Sequence, residues 1–154
     1  MRRKTKKSND LMYQKYTTKQ ITESYIKQSK TVWPAIIALA QSAIADDHDL
    51  IIEGHQIHPK LISDLKKALI KIKGILIIRT NLDSIISGAL KNKATNDWFI
   101  DKTKNPETYH KIALMIKAYS QYFINQNKKK KIKMIATDNN FTKQINLAVS
   151  YLKS

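Results

Sequence analysis

Two kinds of apolar pattern alternate along the chain. Ile26, Trp33, Ile37, Ala40 and Ile44 recur at steps of seven, four, three and four. That spacing lines one face of an α-helix and predicts a helix from about Ile21 to Ala45. Pro34 lies inside it and implies a kink or a restart. Leu61, Leu65 and Leu69, with Ile62 and Ile72 one turn round, predict a helix opened by Pro59 and ended by Gly74. Asn81 caps a short predicted helix in "NLDSIISGAL". Asn105-Pro106-Glu107 is a helix start, and Tyr109, Ile112, Ile116, Tyr119 and Phe123 continue it. "DNN" caps a last helix with Ile145, Val149 and Leu152 inward.

Between these periodic segments stand three short continuous apolar runs: Leu50 to Gly54, Ile75 to Thr80 and Ile132 to Thr137. Such runs are expected of strands buried on both faces. Strands alternating with helices imply parallel pairing. The expected fold class is α/β, a three-layer arrangement with a short, mostly parallel sheet flanked by helices. Residues 1–18 are polar and basic without a clear period and predict a flexible arm. Residues 19–154 predict a single domain, in which 91–105 is a polar, basic, lid-like excursion carrying one aromatic pair, Trp98 and Phe99.

Composition narrows the classes. The 154 residues suffice for one domain with its own core. There is no cysteine, which excludes disulfides, thiol catalysis and zinc–thiolate sites. No apolar run reaches the ~18 residues that span a bilayer. The basic start "MRRKTKK" lacks the apolar stretch of a secretory signal, so the expected location is cytoplasmic, without membrane partners. The net charge of +16 points to polyanions. Among the 28 basic residues only Arg2, Arg3 and Arg79 are arginines, the type that forks onto phosphates and guanine edges. A largely solvated lysine surface with nonspecific attraction to nucleic acid is the expectation.

Candidate chemistry gathers where the strands end, because ligands of open α/β sheets bind at the carboxyl edge. Glu53 ends the first run in "DLIIEGHQIHPKL" and is placed to hold Mg²⁺ through water or to take a hydroxyl proton; the alternative is an acid that exits into solvent. His55 and His58 could meet a substrate phosphate or carboxylate, or be surface turn residues; their spacing makes a poor metal site. Arg79 follows the second strand and could contact a phosphate. Lys91, Lys93, Lys102 and Lys104 could close over phosphates, or Trp98 and Phe99 could simply anchor their segment. Thr137, Asp138 and Asn139 follow the third strand, as nucleotide contacts or as caps of the last helix. Lys128 to Lys131 with Lys133 read as a solvated turn or, alternatively, as a nucleic-acid patch.

With its corner "EGHQIHP", the stretch from Tyr25 to Leu152 resembles the C-terminal two-thirds of a P-loop kinase, closest to the 2-phosphoglycerate kinase-like branch. In that group a helix leads to a strand ending in an EG-x-H-x-x-P corner, then a second strand, a basic lid and a last strand with a polar turn. Glu53, Gly54 and Pro59 match. The family's histidine position holds Gln56, flanked by His55 and His58. The resemblance implies ATP and Mg²⁺ as cofactors and a small hydroxyl-bearing metabolite as substrate. It makes Glu53 the Walker-B-like acid, puts Lys91, Lys93 and Lys102 in the lid and sets Asp138 to Asn140 near the adenine. The chain has only Gly54, Gly74 and Gly88, and no G-x-x-x-x-G-K-[ST]. The resemblance therefore places a first strand and P-loop ahead of residue 1: the chain is the rear part of a split or truncated kinase gene, pairs with a separate segment or partner chain carrying the P-loop, or is reused as a non-catalytic binding protein. On this reading the chain is a remnant or subunit of an ATP-dependent small-molecule kinase, weak or inactive alone. The second reading is a basic nucleic-acid-binding module using its lysine arm and Lys128–Lys133.

Overall fold

A computed structural model describes residues 8–69, 72–91 and 98–153. The order of elements is α1 (Asn9–Lys15), α2 (Thr18–Ala45), α3 (Pro59–Ala68), β1 (Ile75–Ile78), α4 (Leu82–Lys91), α5 (Trp98–Asp101), α6 (Pro106–Asn127), β2 (Lys133–Ala136) and α7 (Phe141–Lys153). The fold is mixed α/β, mostly helical, with a two-stranded parallel sheet among the described residues. β1 pairs with β2 in the register Ile75 to Lys133 and Ile78 to Ala136.

Helix α6 is the spine. Ile112 and Ala113 in its first half are fully buried and pack with Met12 and Tyr13 of α1, Ile21 of α2, Ile85 of α4 and Phe99 of α5. Tyr119 and Phe123 in its second half pack with Ile62 of α3, Leu76 and Ile78 of β1 and Ile132. Beyond these, Ala40 of α2 meets Leu61 and Leu65 of α3, with Trp33, Ile36 and Ile37 against them. One face of the sheet is thus covered by α3 and α6, with α2 behind, while α7 lies against β2. Each large apolar side chain withdrawn from water in this way contributes about 1.5–3 kcal/mol.

Four expectations are corrected. Residues 8–18, expected as part of a loose arm, form α1 and the start of α2; residues 1–7 lie outside the described residues. Ser8 caps α1 by accepting from the Leu11 N–H, and Thr17 and Gln20 form a capping box at the start of α2. Both caps satisfy amide groups that a helix start leaves without partners. Helix α2 then runs through Pro34, whose neighbour across the lost bond, Lys30, is exposed, so water can serve the freed carbonyl. Second, Leu50 to Gly54 is not a strand. Ile51 is 87% exposed. A strand must hand its N–H and C=O groups to a neighbour, and the described residues offer this run none. Third, α3 ends at Ala68, with Leu69 as its extended cap, rather than at Gly74. Gly74 instead stands where β1 passes α3: a Cβ there would lie 2.5 Å from Ile62 Cγ2. Fourth, Ala148 is the buried residue of α7, Ile145 is half-buried, and Val149 and Leu152 are exposed. The starts of α4 and α6 are as expected. Asn81 Oδ1 accepts from the Ser84 N–H at 2.8 Å, and Asn105 Oδ1 accepts from the Glu107 N–H at 2.9 Å.

Candidate functional site

The two strands run parallel, so the turns that follow them share the carboxyl edge of the sheet. Thr137 closes the ladder: its N–H and its hydroxyl both donate to the Ile78 carbonyl, at 2.9 and 3.2 Å. Its own carbonyl accepts two bonds from Arg79, from Nε at 3.1 Å and Nη2 at 3.0 Å. The Arg79 guanidinium also stands 5.8 Å from the Phe141 ring centre. Gly88 of α4 passes so close that a Cβ would lie 2.5 Å from Nη1. Arg79 therefore holds the end of β2 against α4 and α7.

Asp138 clamps the same edge from the other side. Its Oδ1 accepts from the N–H groups of Thr80 at 2.8 Å and Asn81 at 2.7 Å, and Oδ2 accepts from the Thr80 hydroxyl at 3.1 Å. The Ser84 hydroxyl adds a longer bond at 3.3 Å. Burial pushes this carboxyl up, but the donors of Asn81, Thr80 and Ser84 outweigh it and hold the group below the usual carboxylate value. The sequence offered Asp138 as a nucleotide contact or a cap of the last helix; the structure makes it the cap of the turn into α4. Asn140 caps α7, accepting from the Lys143 N–H at 3.3 Å. Asn139 is exposed. Beside this clamp a shallow hollow of about 640 Å³ is lined by Thr80, Asn81, Asp83, Lys117 and Gln121.

The corner "EGHQIHP" sits elsewhere, on α2 and α6. Gly54 has φ +149°, a conformation that favours glycine, and its carbonyl accepts from the Ile57 N–H at 3.1 Å. Trp33 Nε1 donates to the Gln56 carbonyl at 3.0 Å. Tyr119 donates its hydroxyl proton to the His55 carbonyl at 2.8 Å. His58 is 1% exposed. Its Nε2 lies 2.8 Å from the Tyr119 hydroxyl and its Nδ1 3.3 Å from that of Tyr122. Since Tyr119 spends its proton on His55, the arrangement calls for an Nε2–H donating to Tyr119 and an Nδ1 accepting from Tyr122. Burial, with His55 and Lys30 nearby, pushes the imidazole down to about 4, and burial pushes the Tyr119 phenol up to about 12. Both groups are neutral at neutral pH. Ser29 completes the cluster, 3.2 Å from the Tyr119 oxygen while donating to the Tyr25 carbonyl at 2.7 Å.

Of the residues singled out from sequence, Arg79, Thr137 and Asp138 are brought together. His58 is an interior residue that pins the corner to α6. His55 is exposed, with its ring edge-on to Tyr25 at 5.3 Å. Glu53 is exposed, and no described hydrogen bond joins it to Arg79 or Asp138. Lys91 and Lys102 are exposed, and Lys93 lies outside the described residues. The later part of the basic excursion is held down. Asn9 Nδ2 donates to the Trp98 carbonyl and to Thr103, Asp10 accepts from the N–H groups of Lys104 and Asn105, and Phe99 stacks on Tyr109. Sequence reasoning missed Ser29, Tyr119 and Tyr122 as partners of His58. Helical spacing marked the tyrosines as core, and only the fold shows which hydroxyls meet.

No cluster of three metal-ligating side chains occurs among the described residues. One exposed carboxylate does not hold Mg²⁺ alone; the ion is usually bound by one or two carboxylates together with substrate phosphates. Glu53 fits only that auxiliary part, and the phosphate-cradling motif is not in this sequence. No helix among the described residues is long and apolar enough to cross a membrane. Comparison with family models, curated proteins and solved structures gives no match.

Proposed function

We propose that the chain is the rear part of an ATP-dependent small-molecule kinase site, completed by a P-loop-bearing segment from the same polypeptide or from a partner. The observation that carries this reading is the state of β1 and of Leu50–Glu53. Among the described residues β1 is paired on one edge only and the apolar run ending in Glu53 has no strand neighbour, while Ile77 is 51% exposed. Parallel sheets are found with both faces covered, and an open edge is a template for another strand. A strand–GxxxxGK[ST]–helix unit would supply pairing for both segments and the phosphate cradle that this sequence lacks. Phosphoryl transfer rests on positioning and charge stabilisation, so the chain alone is expected to be a poor catalyst. In the completed site Glu53 would meet Mg²⁺ through water, and Lys91 and Lys102 would lie near transferring phosphate. Arg79 and Asp138 would keep the two strand ends in register rather than touch the nucleotide.

The test is a thermal shift with Mg²⁺ and ATP on the chain, with and without a P-loop-bearing strand–loop–helix segment, supplied fused or in trans. The completed form should gain roughly 3 kcal/mol of stability at a hundredfold excess of ATP over its Kd. That gain should need Mg²⁺ and weaken in Glu53→Gln. If no P-loop-bearing segment confers an ATP response, the reading fails.

A further inference from the structure

The opposite end of the sheet carries a different feature. β1 and β2 start side by side, with Ile75 paired to Lys133. Lys73 precedes the first strand and the turn Lys128–Lys131 precedes the second. The last turn of α7 reaches the same place: Lys73 Nζ donates to the Leu152 carbonyl at 3.5 Å, and Lys133 Nζ stands 5.9 Å from the Tyr151 ring centre. Lys153 follows directly. Seven described lysines from separate stretches of chain thus meet at one pole, and all but Lys130 are exposed.

Three observations set this pole apart from an ordinary solvated surface. The stretches that build it hold no acid: residues 65–82, 108–137 and 139–154 contain neither Asp nor Glu. The described ion pairs, Lys19 to Glu23, Lys60 to Asp64 and Lys111 to Glu107, involve none of these seven lysines. Next, helix dipoles do not account for the charge. Each helix C-terminus presents about half a negative charge, so the ends of α6 and α7 offset about one of seven. Finally, the four-lysine turn is built rather than loose. The buried Asn127 donates from Nδ2 to the Ile132 carbonyl at 2.8 Å and accepts from the Ile132 N–H at 2.9 Å. The Asn127 carbonyl accepts from the N–H groups of Lys130 and Lys131. Lys131 is held at φ +54°, where a side-chain-bearing residue is disfavoured by about 1–2 kcal/mol. A preset cluster of cations with no ion pair among the described residues suits the phosphates of a nucleic-acid backbone. Lysine acts there as a point charge with no base-reading geometry.

We infer that this lysine pole is a binding surface for the phosphate backbone of nucleic acid, without sequence preference. It lies at the other end of the strands from the Arg79–Asp138 edge and does not depend on the proposed kinase reading.

The experiment is a fluorescence-anisotropy titration of a labelled DNA duplex of about 20 base pairs, without nucleotide, at two salt concentrations. If about four phosphates are neutralised, raising salt fourfold weakens binding roughly a hundredfold. Two variants of equal charge are compared: one with Lys128 to Lys131 changed to Gln, and one with Lys15, Lys19, Lys27 and Lys30 of α1 and α2 changed to Gln. The first should lose at least about tenfold in affinity and most of the salt slope, and the second less than about threefold. Circular dichroism melting confirms that both fold. Equal losses in the two variants would mean diffuse charge and overturn the assignment. So would loss of binding on removal of residues 1–7 with the Lys128–Lys131 variant unaffected, or absence of binding at the lower salt.

Discussion

His58 shows how much one side chain can decide. It is enclosed by Trp33, Tyr119, Tyr122 and Phe123, each ring edge-on within 6 Å. A positive charge there would lose its water among hydroxyls and rings, with His55 and Lys30 adding repulsion. The imidazole is accordingly held near 4, against an ordinary value of 6.5, chiefly by burial. The sign follows from linkage. Between pH 6.5 and 4 the unfolded chain takes up a proton that the folded chain refuses, so stability falls as pH falls through that window. Above pH 6.5 this group adds no pH dependence. Across the whole window the loss is on the order of 3 kcal/mol. Urea unfolding at pH 7.5 and pH 4.5 should show a steeper acid loss for the natural chain than for His58→Gln, which has nothing to titrate. Parallel pH profiles would remove His58 from the account. The Gln variant itself should be weaker at pH 7.5, because Tyr119 and Tyr122 lose their buried partner.

At the scale of elements, the two turns after β1 and β2 are tied to each other. Asp138 serves the start of α4, and Arg79 serves the end of β2. Each reaches across to the strand it does not belong to. Asp138→Ala strips acceptors from two backbone N–H groups and two hydroxyls, and should cost about 2–3 kcal/mol in chemical denaturation. Asp138→Asn keeps an oxygen and should cost about half that. A loss under about 0.5 kcal/mol for the Ala variant would show that water replaces the clamp. The sequence made α6 legible through its stripe and its Asn105-Pro106 start. It also carried the marks of the chain's beginning, Ser8 before α1 and the Thr17-x-x-Gln20 box before α2, although the basic composition of residues 1–18 masked them. The Asp138 clamp was not legible, since both partner donors lie more than 50 residues away. The run at Leu50 was misread for a related reason. Apolar continuity records what a segment can bury, whereas a strand also needs a neighbour's hydrogen bonds, and those are a property of the whole sheet.

For the molecule as a whole, what remains exposed bears on its proposed role. Ile51, Leu50 and Ile77 stand in water, although "LII" and "ILII" are the compositions of buried strands. A side chain 87% exposed gives almost nothing to the stability of the isolated chain. Ile51→Lys should therefore leave its urea midpoint within the equivalent of about 0.5 kcal/mol. Burying that side chain on a completing strand would be worth about 1.5–3 kcal/mol, and burying a lysine in its place would forfeit that gain and desolvate a charge. The same substitution should thus abolish the Mg²⁺-ATP-dependent stabilisation of the completed form while sparing the chain alone. Thermal melts of the natural and Ile51→Lys chains, each with and without the P-loop-bearing segment, read both effects at once. If Ile51→Lys weakens the isolated chain by several degrees, Leu50–Glu53 is already packed and needs no completing strand. If the completed form tolerates it, the neighbour lies elsewhere and Glu53 is not carried into a phosphate site by this run.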